Sequence, residues 1–226
     1  MCNETKFIYL KSHPVFCCVD EELLLKLCNK VKVYTVYRGE SIDYGTGENA
    51  KIYFVVKGKI KITEVNDSGD ELIKDIVTDG DFLGDLSLVN NPVAEDYAEA
   101  LTPNTIICSF FVRDFLDIMK LSPALAVTYA LKVGKKLKKM EGKHADLVFL
   151  DAKERLIRFI KHWAKSDGSK VDGKIILKNY LTHSDIAGVI STSRQSVNFL
   201  LNELRESGVL YYDRKRIELN DSFIWN

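Results

Sequence analysis

The sequence predicts an α+β chain, and three observations carry that reading. Apolar residues recur with period two over residues 32–111, the period turns helical after Phe115, and residues 181–208 have the spacing of two short helices joined by a tight turn.

Residues 14–31, PVFCCVDEELLLKLCNKV, predict an opening helix over residues 21–31. Asp20 is placed to cap it, Glu22 suits its positive end, and Leu23, Leu24, Leu27 and Cys28 form one apolar face. Alternation then begins at Val31, Val33 and Val36 and resumes at Ile52, Phe54, Val56, Ile60 and Ile62. Hairpin turns are expected at Asn66-Asp67-Ser68-Gly69, at Asp79-Gly80-Asp81, and at Thr102-Pro103-Asn104 between the strands YAEAL and TIICSFF. Short strands at this spacing predict an antiparallel barrel or sandwich of about eighty residues.

Ser122-Pro123 starts a long helix, because a serine cap followed by proline suits a first turn. Its residues Ala126, Ala130, Val133, Leu137, Met140, His144 and Leu147 recur at alternating steps of four and three, the spacing of a coiled-coil seam. Lysines at 135, 136, 138, 139 and 143 narrow the apolar face. That favours a symmetric dimer through residues 122–147 over a helix packed only on its own strands. The segment Phe149-Leu150-Asp151 reads as a hinge, with Asp151 capping a helix over residues 152–164, then a polar loop at 165–169 and a short strand at 174–177.

In the 181–208 stretch Thr182 is an N-cap, Ile186, Ala187 and Ile190 follow at helical spacing, and Ser191-Thr192-Ser193 break the helix. Val197, Leu200, Leu201 and Leu204 give the second helix its apolar face, and Gly208 ends it. Ala187 is small where two such helices approach. This is a helix-turn-helix spacing, whose second helix exposes Arg194, Gln195 and Asn198, the residue types that bond bidentately to guanine or adenine. A plain helical hairpin with solvated polar residues is the alternative. The next residues, VLYYDRKRIEL, argue against it, because two short strands around Asp213-Arg214-Lys215-Arg216 form a basic wing suited to phosphate.

Lysine plus arginine equals aspartate plus glutamate at 32 each among 226 residues, so no global field draws the chain to nucleic acid, and local basic patches must do so. With 46% hydrophobic and 28% charged residues, no apolar run of membrane-spanning length and no signal-peptide pattern, the expectation is a cytoplasmic globular protein without a membrane partner. Five cysteines, at 2, 17, 18, 28 and 108, contain no CxxC pair, so neither a disulfide framework nor a metal site is expected. The absence of a glycine-rich phosphate loop, HExxH or GxSxG excludes the common enzyme signatures.

Assembled in order, these elements resemble the Crp/Fnr family of bacterial transcription regulators. YFVVKGKIKI followed by DGDFLGDLSLV is similar to that family's β-roll, VFLDAKERL to its hinge, and TSRQSVNFLLNELRESGVL to its recognition helix. The resemblance implies a jelly-roll-like β-roll sensor domain over residues 1–121, a dimerisation helix and hinge over 122–150, and a winged helix-turn-helix over 151–226. It also implies double-stranded DNA with a near-palindromic operator, a second copy of the chain, and RNA polymerase as partners. Arg194 occupies the position of the family's guanine-reading arginine, Gln195 stands where glutamate is common, and Phe199 where a further arginine or polar group is usual. Base reading is thus expected from Arg194 and Gln195, marginally from Asn198, and phosphate contact from Thr182, Ser184, Ser193, Arg214 and Lys215.

In the cyclic-nucleotide-binding members, the effector pocket would involve Gly84, Asp85, Leu86, Glu95, Asp96 and Met140 of this chain. Gly84-Asp85 matches the start of the motif, with Asp for the usual Glu, but Glu95-Asp96 replaces the Arg-Ser pair that holds the cyclic phosphate, and Met140-Glu141 replaces small hydroxylated residues. Two carboxylates at about 4 Å from a phosphate would each be repelled by ~1 kcal/mol in water and ~4 kcal/mol near a protein surface. Cyclic AMP in the usual mode is therefore not expected, no cofactor is assigned, and the small-molecule effector is open. In the oxygen-sensing branch a cluster is held by several N-terminal cysteines and one in the β-roll. Cys108 matches the last, but adjacent Cys17 and Cys18 are poorly placed to ligate separate corners. Redox or metal control through cysteines, and an atypical cyclic-nucleotide pocket, are the alternatives.

Overall fold

Strand β3 (Lys51–Lys57) shows how the N-terminal unit is built, because its two faces serve two cores. Ile52 and Phe54 face one, and Tyr53 and Val55 the other. In the computed structural model, residues 3–45, 47–65, 71–84, 88, 96–220 and 223 are described. The chain divides into two compact units, Met1–Lys139 and Met140–Asn226.

In the first unit, α1 (Asn3–Ser12) and α2 (Glu21–Cys28) precede β1 (Lys32–Val36) and β2 (Ser41–Ile42). After β3 come β4 (Ile60–Val65), β5 (Glu71–Val77), β6 (Phe82–Gly84), β7 (Asp96–Ala100) and β8 (Thr105–Phe111). They are followed by α3 (Val112–Leu121) and the long α4 (Pro123–Phe149), whose residues from Met140 on belong to the second unit. The strands form two antiparallel sheets, ordered β1-β8-β3-β6 and β2-β7-β4-β5. Between them lie Val36, Ile42, Tyr53, Val55, Ile60, Val77, Leu83, Ala98, Ala100 and Ile107. The outer face of the first sheet, carrying Ile52, Phe54, Phe82, Cys108 and Phe110, is covered by helical residues that include Leu10, Leu24, Leu27, Phe115, Leu125 and Tyr129. This is a jelly-roll-like β-roll with a helical layer on one side.

Asp20 caps α2 by accepting the Leu23 N–H at 2.8 Å. The helix ends at Cys28, three residues earlier than the apolar pattern suggests, because the Asn29 N–H turns back to Lys26 and Leu27. α3 begins directly where β8 ends, so the helical period starts at Val112 rather than after Phe115. On α4, Val133 packs against the chain's own aromatic core together with buried Leu125 and Tyr129, whereas Ala130, Leu137, Met140, His144 and Leu147 of the heptad series are exposed. A straight helix drifts about 20° per heptad against a strict seven-residue repeat. One heptad series therefore crosses from the packed to the open face. The expected turn at residues 66–69 lies outside the described residues.

The second unit contains α5 (Ala152–Asp167), β9 (Ser169–Val171), β10 (Lys174–Lys178), α6 (His183–Ile190), α7 (Arg194–Glu206), β11 (Leu210–Tyr212) and β12 (Arg216–Asn220), with sheet order β11-β12-β10-β9. α5 runs one turn past Ala164 into the expected polar loop. There the Trp163 indole donates to Asp167 Oδ2 at 3.1 Å, and a side chain on Gly168 would meet the Ala164 carbonyl. The loop's last residue, Ser169, opens β9.

Candidate nucleic-acid interface

The site is built from helix starts. Thr182 Oγ1 accepts the Asp185 N–H at 3.1 Å and donates to Asp185 Oδ2 at 2.7 Å, and the same carboxylate accepts the Thr182 N–H at 2.8 Å. Two orphan donors at the start of α6 are thus satisfied reciprocally. Ser191, with φ 53°, ends α6 in the left-handed region. Arg155, which the sequence pattern does not single out, donates to the carbonyls of Ile190 (2.9 Å), Ser191 (3.2 Å) and Leu150 (2.7 Å). It satisfies acceptors that a helix end leaves unpaired. Ser193 caps α7 by accepting the Ser196 N–H at 3.0 Å. Ala187 is buried as expected, and its carbonyl accepts the Thr192 N–H at 3.0 Å.

Because Val197, Leu200, Leu201 and Leu204 are buried, the opposite face of α7 is turned outward. Ser193, Arg194, Gln195 and Asn198, all exposed, line one open concavity of about 670 Å³ with His183. His183 is the member that sequence reasoning missed; its only signal is its place directly after the Thr182 cap. Burial, and then the positive charge of Arg194, hold its imidazole below the usual range, so at neutral pH it presents an uncharged ring, 5.6 Å from that of Tyr212. Ser184 is exposed on the first turn of α6. The proton of the Thr182 hydroxyl, by contrast, is committed to Asp185.

The wing takes its shape from Asp213, whose Oδ1 accepts the N–H groups of Lys215 (2.6 Å) and Arg216 (2.8 Å). Those bonds hold its carboxyl below the usual carboxylate range. Arg216 folds back onto Glu218 at 3.0 Å, which leaves Arg214 and Lys215 exposed at the tip. The arrangement gathers a guanidinium and two amide side chains on one helix face, groups able to bond base edges, beside the Ser193 hydroxyl, while the wing tip carries two exposed cations.

Of the effector positions, Asp85, Leu86 and Glu95 lie outside the described residues. Gly84 has φ 109°, and a Cβ there would come within 2.3 Å of the Lys51 carbonyl, so glycine is required by the approach of β6 to β3. Asp96 accepts Lys74 Nζ at 2.9 and 3.2 Å, and Lys74 also reaches Glu64 at 3.1 Å. Asp75 of β5 receives Lys136 (3.4 Å) and Lys139 (2.7 Å) from α4. Met140 is exposed on α4. Among the described residues no three His, Cys, Asp or Glu side chains gather to hold a metal ion, and no helix is long and apolar enough to cross a membrane. Cys17 and Cys18 are exposed; Cys28 and Cys108 are buried, and burial raises both of their thiols, that of Cys108 to about 12.

Residues 35–122 match the cyclic nucleotide-binding domain, and residues 154–222 match the Crp-like helix-turn-helix domain. The chain is 25% identical over 191 residues to the global nitrogen regulator of Synechocystis sp., covering 84% of each protein. It is likewise 25% identical over 180 residues to Vfr, the cAMP-activated global transcriptional regulator of Pseudomonas aeruginosa, covering 77% of this chain and 83% of that one. The solved structure of CLP, a c-di-GMP-responsive global regulator of Xanthomonas campestris, superposes with a TM-score of 0.74 at 18% identity over 89% of this chain and 99% of that one, a likeness of fold. A cyclic nucleotide-binding domain and a Crp-like helix-turn-helix in one chain, on this fold, make the protein a member of the Crp/Fnr family of DNA-binding, non-enzymatic transcription regulators.

Proposed function

We propose that the protein acts as a homodimer on a near-palindromic operator, with each α7 in a major groove and the two recognition helices about 34 Å apart. Arg194 reads guanine and Gln195 reads adenine, Asn198 lies at the margin, and Ser184, Ser193, Arg214 and Lys215 hold phosphate. Thr182 contributes by fixing the start of α6. The observation that carries this reading is the gathering of Arg194, Gln195 and Asn198 in one exposed concavity on a helix whose other face is buried. The functional division is then sensor over 1–121, dimer helix and hinge over 122–150, and DNA reader over 151–226, with RNA polymerase as the machinery whose action the bound dimer alters.

The β-roll does not take cyclic AMP in the family's usual mode. Asp96 stands at an Arg-Ser position and already holds Lys74, while Lys136 and Lys139 of α4 are turned to Asp75. A metabolite of another class, or none, remains as effector. Exposure of Cys17 and Cys18 favours one second reading, control by thiol oxidation.

Selection of bound sequences from random DNA by the purified, ligand-free protein tests both parts, repeated with cyclic AMP and under mild oxidation. The expected result is a palindromic consensus from the bare protein, unchanged by cyclic AMP. A consensus that emerges only with cyclic AMP would overturn the effector reading, and one lost on oxidation but kept in a Cys17→Ser, Cys18→Ser variant would establish thiol control.

A further inference from the structure

Phe199 is 68% exposed on α7, whereas the apolar residues around it on that helix, Val197, Leu200, Leu201 and Leu204, are buried. It follows Gln195 by four residues. The two therefore share one stripe of the helix, about 40° apart around the axis and ~6 Å apart along it. A single exposed phenylalanine elsewhere on a soluble protein would need no explanation. On this stripe it does, because a phenyl ring in a major groove has no hydrogen bond to offer. The guanine, adenine or cytosine groups beneath it would lose water without gaining a partner. Thymine alone presents a C5 methyl group there. Further along the same helix, Arg205 is turned to the Tyr212 ring at 5.7 Å.

We propose that Phe199 is a specificity-determining residue that packs on a thymine methyl one to two base pairs from the pair read by Gln195. The offset follows from ~6 Å along the helix against roughly 3.4 Å per base step. The inference rests on the proposed role of α7 as the base-reading helix. Where a cation at this place would add a polar or phosphate contact, the ring adds none. Its contribution is therefore to discrimination and not to the salt dependence of binding.

Deoxyuridine removes the methyl group and nothing else. On the operator recovered by selection, each thymine is replaced in turn by deoxyuridine, symmetrically in both half-sites, and affinities are measured for the wild-type protein, Phe199→Ala and Phe199→Leu. One thymine position is expected at which the wild type loses about fourfold per half-site, the loss for one methyl-sized apolar group. Phe199→Ala should be indifferent there, and Phe199→Leu should keep part of the sensitivity. Cytosine at that position should be worse than deoxyuridine for the wild type, and 5-methylcytosine should recover part of the loss. The slope of log affinity against log salt should be equal in wild type and Phe199→Ala. If deoxyuridine costs the same factor in both proteins at every position, or if Phe199→Ala weakens specific and random DNA alike, the inference is overturned while base reading by Arg194 and Gln195 stands. If no consensus emerges from random DNA, the reading of α7 itself falls, and this inference with it.

Discussion

Arg194 and Ser193 are neighbours in sequence, yet the first is exposed, with base reading its proposed role, and the second holds the start of its helix. Arg194→Ala should cost about 1–3 kcal/mol on the preferred operator and relax discrimination at one base pair. Competition binding against the four variants of that base pair measures both, and an equal loss on random DNA would make Arg194 a phosphate contact. His13 yields a prediction of another kind. Its ring is buried among Phe16 and Phe54 with Nδ1 accepting the Val15 N–H at 3.3 Å, so Nε2, 3.1 Å from the Asp81 carbonyl, carries the single proton. Burial lowers its pKa to about 4, with nearby Lys132 adding to the effect and Asp81 opposing it. Because the unfolded chain takes up this proton near pH 6.5 and the folded one only near 4, stability is full above pH 6.5 and falls as the pH drops between those values. The N-terminal unit should lose about 2 kcal/mol from this group between pH 7.5 and 5. Urea denaturation of wild type and His13→Gln at the two pH values isolates it; parallel pH profiles would refute the assignment.

At the scale of elements, α6 and α7 are set by short polar side chains at their starts, and these caps were legible because Thr182 and Ser193 stand immediately before apolar-periodic runs. Ser193→Ala should lower the stability of the C-terminal unit by about 1 kcal/mol and weaken all DNA sequences by a similar factor. Ser193→Asp distinguishes the two roles: it restores the cap, so thermal stability returns, but sets a carboxylate against phosphate, so binding falls further. A Ser193→Asp protein that bound DNA like the wild type would remove Ser193 from the interface. The strands β3 and β8 were legible as strands, but residues 52–55 and 107–110 are continuously buried, which reports two covered faces where the period-two reading expected one. What escaped was set by distance in space. Arg155 finds the end of α6 from 35 residues away, and Asp167 extends α5 by receiving the Trp163 indole and the Tyr180 hydroxyl at 3.1 Å. His183 joins the concavity because α7 brings Arg194, Gln195 and Asn198 beside it. No local pattern encodes a partner supplied by another element.

The whole molecule poses the question of why α4 is 27 residues long when, among the described residues, only Leu125 and Tyr129 of it are buried by the chain's own fold. Val127, Leu131, Leu137, Met140, Leu147 and Val148 are each between 47% and 64% exposed along it. Burying such a side chain contributes about 1.5–3 kcal/mol, so a second α4 laid against the first would gain on the order of 10 kcal/mol before the entropy of association is subtracted. The expected stripe at Leu137, Met140 and Leu147 lies within this exposed set, with Val127 and Leu131 added by the structure; Val133 is drawn to the β-roll core. A symmetric pair also suits the chain's overall charge neutrality. With 32 positive and 32 negative side chains, one winged helix has little long-range attraction for DNA, and two linked half-sites multiply a weak local contact. Leu137→Glu places a carboxylate in the proposed seam of both protomers at once and, because Leu137 is exposed in the single chain, should leave each unit folded. Sedimentation should then show a monomer with an unchanged circular dichroism spectrum, and affinity for the full operator should fall to that of an isolated half-site. If Leu137→Glu and Met140→Glu both remain dimeric with operator binding intact, α4 is not the dimer seam, and its exposed apolar face must serve another partner.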